Sequence, residues 1–284
     1  MAFKIAIDAG HGINTAGKRC DKKLDANQTR EWTLNDRVAR YIAEAAKQYE
    51  GVETLRVDDV TGKKDVSLSA RCKASNNWGA DMYIACHHNA GIKLGTGGGI
   101  VAYSNKEGTK GAEYRDEIYK ACIAAGGLKG NRADPTKAKS YYVVKNTKAP
   151  AVLMEYGFMD SQTDVPFILQ DKYSKLVGYA TMEGIAKVAE LKKKSTPAKQ
   201  EAEKTSSVKV DSAKSFNALK AGTYTVTANS LNLRSGASTD KQIIEAMAKG
   251  KTFTCYGYYT GSWLYGISAS GKKGFCHKSY LKKK

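Results

Sequence analysis

The sequence of 284 residues has no long apolar run and no recognisable export segment. No stretch approaches the roughly 20 apolar residues that a membrane-spanning helix needs, so membrane insertion is not expected. The opening MAFKIAIDAGHG passes directly into an apolar run, without a basic head, a long apolar segment or a cleavage site. We therefore predict no signal peptide, and expect a protein that is at first retained in the cytosol.

The sequence also lacks paired cysteines. Its six cysteines, at positions 20, 72, 86, 122, 255 and 276, show no CxxC spacing. In a cytosolic chain such thiols are usually reduced and behave as small apolar side chains. Neither a disulfide framework nor a cysteine zinc cluster is predicted.

Acidic residues are scarce in the last third of the chain. The net charge is +18, and residues 191–284 carry 18 Lys and Arg against 5 Asp and Glu, whereas residues 1–190 carry 28 against 23. Such an excess attracts polyanions in general, including nucleic acid, anionic lipid and anionic wall polymers. No nucleic-acid-binding motif accompanies the charge, which lies in a lysine-rich region rather than on a patterned face, so nucleic acid is not an expected partner.

The composition divides the chain into two regions. Residues 192–216 are rich in Lys, Ser, Thr and Ala, and we predict a flexible linker there. In residues 1–191, short apolar runs alternate with amphipathic patterns, which predicts an α/β domain with a mostly parallel sheet flanked by helices. In residues 217–284, runs such as YTVTA and SWLYGIS, separated by Gly, Ser, Thr and Asn, predict a small all-β barrel or sandwich. The predicted strands of the first region lie at 3–7, 52–57, 82–86, 100–103 and 151–154, and its helices at 34–45 and near 66–78, 108–125 and 171–190.

Polar side chains follow three of the predicted strands. His11 follows the first strand, His87 and His88 follow the third, and Glu155 follows the last. Ligands of open α/β sheets bind at the carboxyl ends of strands, and the chain has only four histidines. A lone histidine between glycines is more often a loop residue, but two histidines, a carboxylate and an open position for water suit a hydrolytic zinc site.

Two glutamates are candidates for the carboxylate roles of such a site. Glu155 stands alone after an apolar strand, where a free carboxylate is costly without a partner. Glu31 lies in the first turn of a predicted helix, three residues before Leu34, and is therefore turned toward the sheet. On spacing alone, Glu31 is more often a glutamate favoured by the helix dipole than a ligand. The residues by themselves leave both roles open.

Four segments resemble the motif blocks of a known family. IAIDAGHG, REWTLNDRVA, LSARCKASNNWGADMYIACHHNA and SYYVVKNTKAPAVLMEYGFMDS occur in order between residue 3 and about residue 190. They resemble the zinc-dependent N-acetylmuramoyl-L-alanine amidases of the amidase-3 family. The resemblance implies that His11, Glu31 and His87 bind zinc and that Glu155 is catalytic. It also implies hydrolysis of the amide between the lactyl group of N-acetylmuramic acid and the L-alanine of the stem peptide.

The third block contains two adjacent histidines. The family's H-x-N-A pattern matches His87 and Asn89, which leaves His88 in the variable position. Adjacent side chains of a strand point to opposite faces, so only one of the two histidines is expected to be a ligand. We predict that His88 and Asn89 contact substrate. The chain has Ala85 and Cys86 where the family usually has Ser-x before the histidine, and we expect Cys86 to pack in the core.

The second region resembles a bacterial SH3-type domain. The blocks LNLRSG, AKGKTF, SWLYGI and KKGFCHKSYL stand in the usual order within residues 221–284. Domains of this kind commonly bind cell-wall peptide or glycan. The segment from 256 to 265 is rich in aromatic residues, which suits a sugar or peptide groove as well as a core. We predict that Tyr258 or Trp263 contacts ligand, and that His277, without a metal-spaced partner, is a surface residue.

These features predict peptidoglycan of a Gram-positive wall as the partner, because a wall-binding domain without an outer-membrane anchor fits that wall. The predicted absence of a signal peptide favours a phage endolysin, which stays in the host cytoplasm until a separate pore-forming protein gives it access to the wall. An exported autolysin of the same chemistry is the alternative. A non-catalytic wall-binding protein would need neither the histidines nor the glutamates at these positions.

Overall fold

The computed structural model of the chain describes residues 2–194 and 210–284, which form two compact units. The predicted linker at 192–216 lies mainly outside the described residues. Its two ends are described, and each is tied to the unit beside it. Lys193 forms a β-bridge with Tyr49, and the amide of Asp211 donates to the carbonyl of Ser235 at 2.6 Å. The flexible linker at 192–216 remains a prediction.

The first unit alternates strands and helices, as its sequence predicts. Its strands are β1 (Phe3–Ala9), β2 (Val52–Arg56), β3 (Met82–Asn89), β4 (Val101–Ser104), β5 (Thr136–Ala138) and β6 (Ala151–Phe158). Its helices are α1 (Glu31–Ala46), α2 (Leu68–Trp78), α3 (Lys110–Ala125), α4 (Tyr142–Asn146), α5 (Val165–Ile168) and α6 (Asp171–Val188). The short elements β5, α4 and α5 were not predicted.

The strands form one sheet in the order β2-β1-β3-β6-β4-β5. All neighbouring pairs are parallel except β4 and β6, so the predicted mostly parallel α/β fold is confirmed. Two parallel strands of one sheet must be joined by a crossover connection of a dozen or more residues, usually a helix. The glycine-rich connection from β3 to β4 contains no helix, and β4 accordingly runs in the opposite direction.

The core of the first unit is built from the apolar runs of the central strands and the inner faces of the helices. Ile5 and Ile7 of β1 are fully buried, as are Leu34, Val38 and Ile42 of α1. The three α1 residues are spaced four apart and therefore form one stripe along the helix. Burying each side chain of this size stabilises the fold by about 1.5–3 kcal/mol. This stripe fixes α1 against the sheet and orients its first turn.

The central strands bring their carboxyl ends to one edge of the sheet. The register pairs Ala9 of β1 with Cys86 of β3, and His87 of β3 with Glu155 of β6. The first residue of α1, Glu31, is also at this edge, because its carboxylate reaches the side chain of His87. The candidate residues that follow separate strands in sequence are therefore neighbours in the fold.

The second unit is an antiparallel sheet, which confirms the predicted all-β domain. Its strands are β7 (Ser215–Phe216), β8 (Gly222–Val226), β9 (Ser230–Arg234), β10 (Ile243–Ala248), β11 (Thr252–Thr260), β12 (Trp263–Ser268), β13 (Lys273–His277) and β14 (Leu281–Lys283). The strand order is β10-β9-β13-β12-β11-β8-β14, and β7 pairs with β11. Alternate residues, such as Leu231, Leu233 and Leu264, fill its core.

All six cysteines are free and buried. This confirms that they serve as apolar side chains rather than as a disulfide framework. In the two described stretches, no helix combines the length and the apolar character that crossing a bilayer would require.

Candidate metal centre

Three of the predicted ligands meet at the carboxyl edge of the first sheet. Glu31 Oε1 lies 3.4 Å from His11 Nε2 and 3.2 Å from His87 Nδ1. The two imidazole rings are nearly perpendicular, with centroids 5.0 Å apart. One donor atom from each of the three residues lies within 4.8 Å of the others. Two imidazoles and one carboxylate in this arrangement are a donor set for a divalent transition metal.

The Glu31 carboxylate is almost completely buried, with 1% of the residue exposed. Burial alone would raise its pKa, but hydrogen bonds from His11 and His87 outweigh burial and hold the pKa below its usual range. The backbone N–H of His88 lies 3.3 Å from Oε1, and Lys18 Nζ lies 3.8 Å from Oε2. Oε2 itself is buried and has no hydrogen-bond partner among the described residues. The site therefore holds an ionised carboxylate with one oxygen still unsatisfied.

The backbone around His11 is shaped to bring the two imidazoles together. His11 has a φ of +67°, a conformation that few non-glycine residues adopt. A Cβ atom at the preceding Gly10 would lie 2.0 Å from the His87 ring. Gly10 is therefore required by the close approach of the imidazole to the backbone, which explains why a glycine directly precedes His11.

A buried arginine holds the end of β1 in this conformation. Arg71, on α2, is 1% exposed. Its guanidinium donates to the carbonyls of Ala9 at 2.8 Å and His11 at 3.0 Å, and it pairs with the carboxylate of Asp8. The second oxygen of Asp8 accepts a hydrogen bond of 2.6 Å from the hydroxyl of Tyr83. Arg71 thus ties the unusual backbone of His11 to the strand before it.

Glu155 lies beside the three donors on β6. It is next to His87 of β3 on one side and Val101 of β4 on the other. Its Oε2 is buried without a hydrogen-bond partner among the described residues. Burial raises the pKa of Glu155 to about 7, although the neighbouring His87 acts in the opposite direction. A carboxyl group with a pKa near neutrality is suited to accepting and releasing a proton.

His88 is buried against α1 rather than beside the three donors. It is 2% exposed, and its Nδ1 lies 2.8 Å from Asn35 Oδ1 on α1. Asn35 in turn donates to the carbonyl of Gly10 at 3.1 Å. Because strand side chains alternate, His87 faces the donor cluster while His88 faces α1. This contact makes His88 a support for α1, and its predicted contact with substrate remains a prediction.

The predictions for Cys86 and Asn89, which flank the two histidines on β3, have different outcomes. Cys86 is fully buried, which confirms that it packs in the core. Asn89 lies at the end of β3, half-buried, and its Oδ1 accepts a hydrogen bond of 2.8 Å from the backbone N–H of Ala90. Its predicted contact with substrate remains a prediction.

The second unit has a groove of about 460 Å³ that includes one of the two predicted aromatic residues. Trp263 lines this groove, whereas Tyr258 lies on β11, where it pairs with Phe216 of β7. His277 is not a simple surface residue, since it is half-buried and its ring stands edge-on to Trp263 at 5.1 Å. The groove also contains residues that were not singled out from the sequence, including Arg234 and Tyr280.

Sequence reasoning also missed the buried support of the first site. Asp8 lies in the motif block that contains IDAGHG, and Arg71 lies in the block that contains LSARCK. The motif blocks therefore already included both positions. A charged residue among apolar neighbours needs a buried partner, but 62 residues separate this pair in sequence, and only the packing of α2 on β1 shows that they meet.

Comparisons with known proteins agree with this geometry. Residues 5–187 match the family model described as N-acetylmuramoyl-L-alanine amidase, and residues 229–282 match the model of the bacterial SH3 domain. The sporulation-specific N-acetylmuramoyl-L-alanine amidase of Bacillus subtilis is 30% identical over 194 residues, covering 68% of this chain and 71% of the relative. The endolysin of Bacillus phage SPP1 is 30% identical over 207 residues, covering 69% of each.

Solved structures show the same fold. The N-acetylmuramoyl-L-alanine amidase of Clostridium difficile 630 aligns with a TM-score of 0.59 at 22% identity, covering 66% of this chain and 97% of that one. The catalytic domain of CwlV from Bacillus (Paenibacillus) polymyxa aligns with a TM-score of 0.58 at 20% identity, covering 67% of this chain and 99% of that one.

The buried pair of Arg71 and Asp8 leads to a stability prediction. Arg71→Met should lower the free energy of unfolding of the first unit by about 3–5 kcal/mol, because it leaves the Asp8 carboxylate buried without its partner. Adding Asp8→Asn should recover part of this loss. Denaturant titration followed by helical circular dichroism measures the change, since the long helices lie in the first unit.

Arg115→Met provides the matched control. Arg115 is also buried, but its partner Glu107 has 61% of its side chain exposed and can be rehydrated. This variant should lose at most about 2 kcal/mol, from hydrogen bonds alone. Equal losses in the two variants would contradict the role given to the buried Asp8 charge.

Proposed function

The chain belongs to the N-acetylmuramoyl-L-alanine amidase family, and from this premise we propose that His11, Glu31 and His87 bind one zinc ion at its catalytic site. The chain is a peptidoglycan amidase, which hydrolyses the bond between N-acetylmuramic acid and the L-alanine of the stem peptide. The observation that supports zinc most directly is the convergence of these three donor atoms.

The spacing of the donors fits zinc. Zinc binds histidine nitrogen and carboxylate oxygen at about 2.0–2.2 Å, so donors at the corners of a tetrahedron lie roughly 3.3–3.5 Å apart. The carboxylate of Glu31 is 3.2 Å and 3.4 Å from the two imidazole nitrogens. Three protein ligands leave the fourth position for water or substrate, as hydrolytic zinc sites do.

The catalytic roles follow from this arrangement. A bound zinc ion would polarise the scissile carbonyl and lower the pKa of water. Glu155 accepts a proton from the attacking water and delivers it to the nitrogen of L-alanine as the C–N bond breaks. Water thus supplies the oxygen of the new carboxyl group on the lactyl side, and the new amine of L-alanine receives the proton. The raised pKa of Glu155 suits both transfers, because the group is readily protonated and deprotonated near neutral pH.

The supporting residues keep this geometry. Arg71 and Gly10 place the two imidazoles, while His88 and Asn35 hold α1, and with it Glu31, against β3. Loss of a hydrogen bond that positions a metal ligand commonly changes metal affinity or activity by 10- to 100-fold. Asn89 is proposed to contact the substrate at the end of β3.

The metal assignment predicts about one zinc per purified chain. His11→Ala and His87→Ala should lose both zinc and activity because each removes a donor. His88→Ala keeps all three donors and should still bind one zinc, with an affinity at most about 100-fold weaker, and its free energy of unfolding should fall because the change leaves a cavity beside Asn35. Excess chelator should abolish activity and added zinc should restore it. Elemental analysis and the release of L-alanine amino termini from purified peptidoglycan provide the measurements.

Full activity in a demonstrably metal-free sample would contradict the zinc assignment. Loss of zinc from His88→Ala combined with its retention in His87→Ala would show that the other histidine is the ligand.

The two glutamates lead to a prediction that separates catalysis from metal binding. Glu155→Gln keeps the shape of the side chain but removes the proton acceptor, so zinc should stay bound while turnover falls by roughly 10²–10⁴. Glu31→Gln removes a charged ligand and should weaken zinc binding itself. The two substitutions are chemically identical, so each serves as the control for the other. If Glu155→Gln lost zinc and Glu31→Gln retained wild-type affinity, the two roles would be exchanged.

The biological setting is proposed to be lysis of a Gram-positive host by a phage. A phage endolysin is among the relatives, and other relatives come from Bacillus and Staphylococcus, which have Gram-positive walls. In this setting the enzyme remains in the host cytoplasm until a separate pore-forming protein lets it reach the wall. The sporulation amidase is equally similar in identity, so an autolysin is the competing function.

Expression inside Bacillus subtilis distinguishes these functions. Cultures that make the protein should keep their optical density until the membrane is permeabilised, and should then lyse. A strain expressing Glu155→Gln at the same level is the control and should not lyse. Lysis without permeabilisation would show that the protein reaches the wall by itself and would favour the autolysin.

A further inference from the structure

The outward face of the second sheet carries a cluster of polar and aromatic side chains. Along β9 the residues alternate, with Leu231 and Leu233 buried and Ser230, Asn232 and Arg234 outward. Strand β12 alternates in the same way and places Trp263 outward, and His277 of β13 is the direct cross-strand partner of Trp263. Because β9, β13 and β12 are neighbours, these side chains share one surface.

Aromatic rings form one wall of the groove on this surface. Trp263 and His277 are direct cross-strand partners, with ring centroids 5.1 Å apart. Tyr280, half exposed, lies on the other side of His277 at 5.8 Å. Rings held in this way lose little further freedom when a flat or apolar group packs against them.

One polar atom in this cluster lacks a partner. Nδ1 of His277 is buried and makes no hydrogen bond with any part of the chain that the structure describes. A buried polar atom of this kind is unfavourable unless a water molecule or a ligand satisfies it. His277, which lines the groove, therefore has one ring nitrogen with unused hydrogen-bonding capacity.

Arg234 supplies the positive charge of the groove. Its Nη1 donates to the carbonyl of Lys241 at 2.8 Å, which restricts the guanidinium. Within residues 2–194 and 210–284, no carboxylate lies within ion-pairing distance of it. The exposed Asp240 on the adjoining turn makes no ion pair with Arg234, although a hydrogen bond from Ser238 and the nearby charges of Lys241 and Arg234 lower its pKa. A guanidinium has five N–H donors in a fork that matches a carboxylate, so Arg234 retains donors for a ligand.

We propose that this groove, lined by Asn232, Arg234, Trp263, His277 and Tyr280, binds the free carboxylate end of a wall stem peptide. The inference rests on the wall substrate given above and assigns a ligand to the second unit. Arg234 pairs with the carboxylate, and the rings of Trp263 and Tyr280 pack against the adjacent side chains of the peptide. The groove volume of about 460 Å³ falls within the roughly 300–1,000 Å³ typical of small-ligand sites.

Charge and groove composition favour a peptide carboxylate over the other wall components. Residues 210–284 carry 12 Lys and Arg against 3 Asp and Glu, which favours an anionic ligand over a neutral glycan. A phosphate polymer would be drawn to the lysines spread over the whole unit. The groove instead offers a single guanidinium between aromatic rings, which suits one carboxylate attached to a compact apolar group.

The test uses the full chain and the peptide Nα,Nε-diacetyl-L-Lys-D-Ala-D-Ala, whose only charge is its terminal carboxylate. Isothermal titration should show that the wild type binds this acid at least about tenfold more tightly than the corresponding C-terminal amide. Arg234→Gln should abolish the preference for the acid, and Arg234→Lys should retain part of it. Trp263→Ala should weaken the binding of the acid and of the amide by similar factors, because the ring contacts uncharged parts of the peptide.

Lys272→Gln is the control of matched charge. Lys272 is exposed in the β12–β13 turn, at the opposite end of this strand pair from Trp263 and His277. The Lys272→Gln variant should bind both peptides with the affinities of the wild type. The proposal is overturned if Lys272→Gln loses as much affinity as Arg234→Gln, which would indicate general attraction of anions. It is also overturned if the wild type does not prefer the acid over the amide, or if Arg234→Gln retains that preference.

The catalytic function is assessed separately, from the release of L-alanine amino termini by the wild type. If release occurs without preferential binding of the acid, only the groove proposal fails. If the acid binds through Arg234 but no amino termini are released, the proposed zinc amidase fails and the peptide site stands.

Discussion

The catalytic edge of the first unit depends on keeping the carboxylate of Glu31 ionised inside the protein. Glu31 lies at the start of α1, where the partial positive charge of the helix favours a carboxylate, and it is surrounded by His11, His87 and the backbone N–H of His88. The sequence allowed Glu31 to be either a glutamate favoured by the helix dipole or a ligand, and its position in the fold is compatible with both. The remaining oxygen of Glu31 has no hydrogen-bond partner among the described residues, and in the proposed metal site it would be available to the cation.

The sequence contained enough information to find this edge, because local periodicity and strand order determine it. The apolar stripe of α1 predicted that Glu31 faces the sheet. The alternation of side chains along β3 predicted that His87 and His88 point to opposite faces. The mostly parallel direction of the strands was equally predictable, since strands and helices alternate. The resemblance to the amidase family then implied roles for the four residues, which spacing alone left open for Glu31 and Glu155.

Other features depend on contacts between distant segments, which periodicity does not report. The three-residue strand β5 and the short helices α4 and α5 are too brief to show a period. Arg71 reaches three backbone or side-chain groups near the end of β1, although nothing near it in sequence identifies them. In the second unit, Arg234, His277 and Tyr280 share a groove only because β9 and β13 are neighbours in the sheet, so the sequence indicated an aromatic segment but not the surface it belongs to.

The burial of every cysteine has a consequence for the reactivity of the thiols. Burial raises the pKa of the Cys20 and Cys122 thiols to about 12 and that of Cys255 to about 11, and it also raises those of Cys72, Cys86 and Cys276. A thiol with a pKa of about 12 is ionised in roughly one molecule in 10⁵ at neutral pH, and the thiolate is the form that exchanges with disulfides. Neither unit contains a disulfide bond among its described residues, and the low thiolate fraction makes these cysteines poor partners for disulfide exchange.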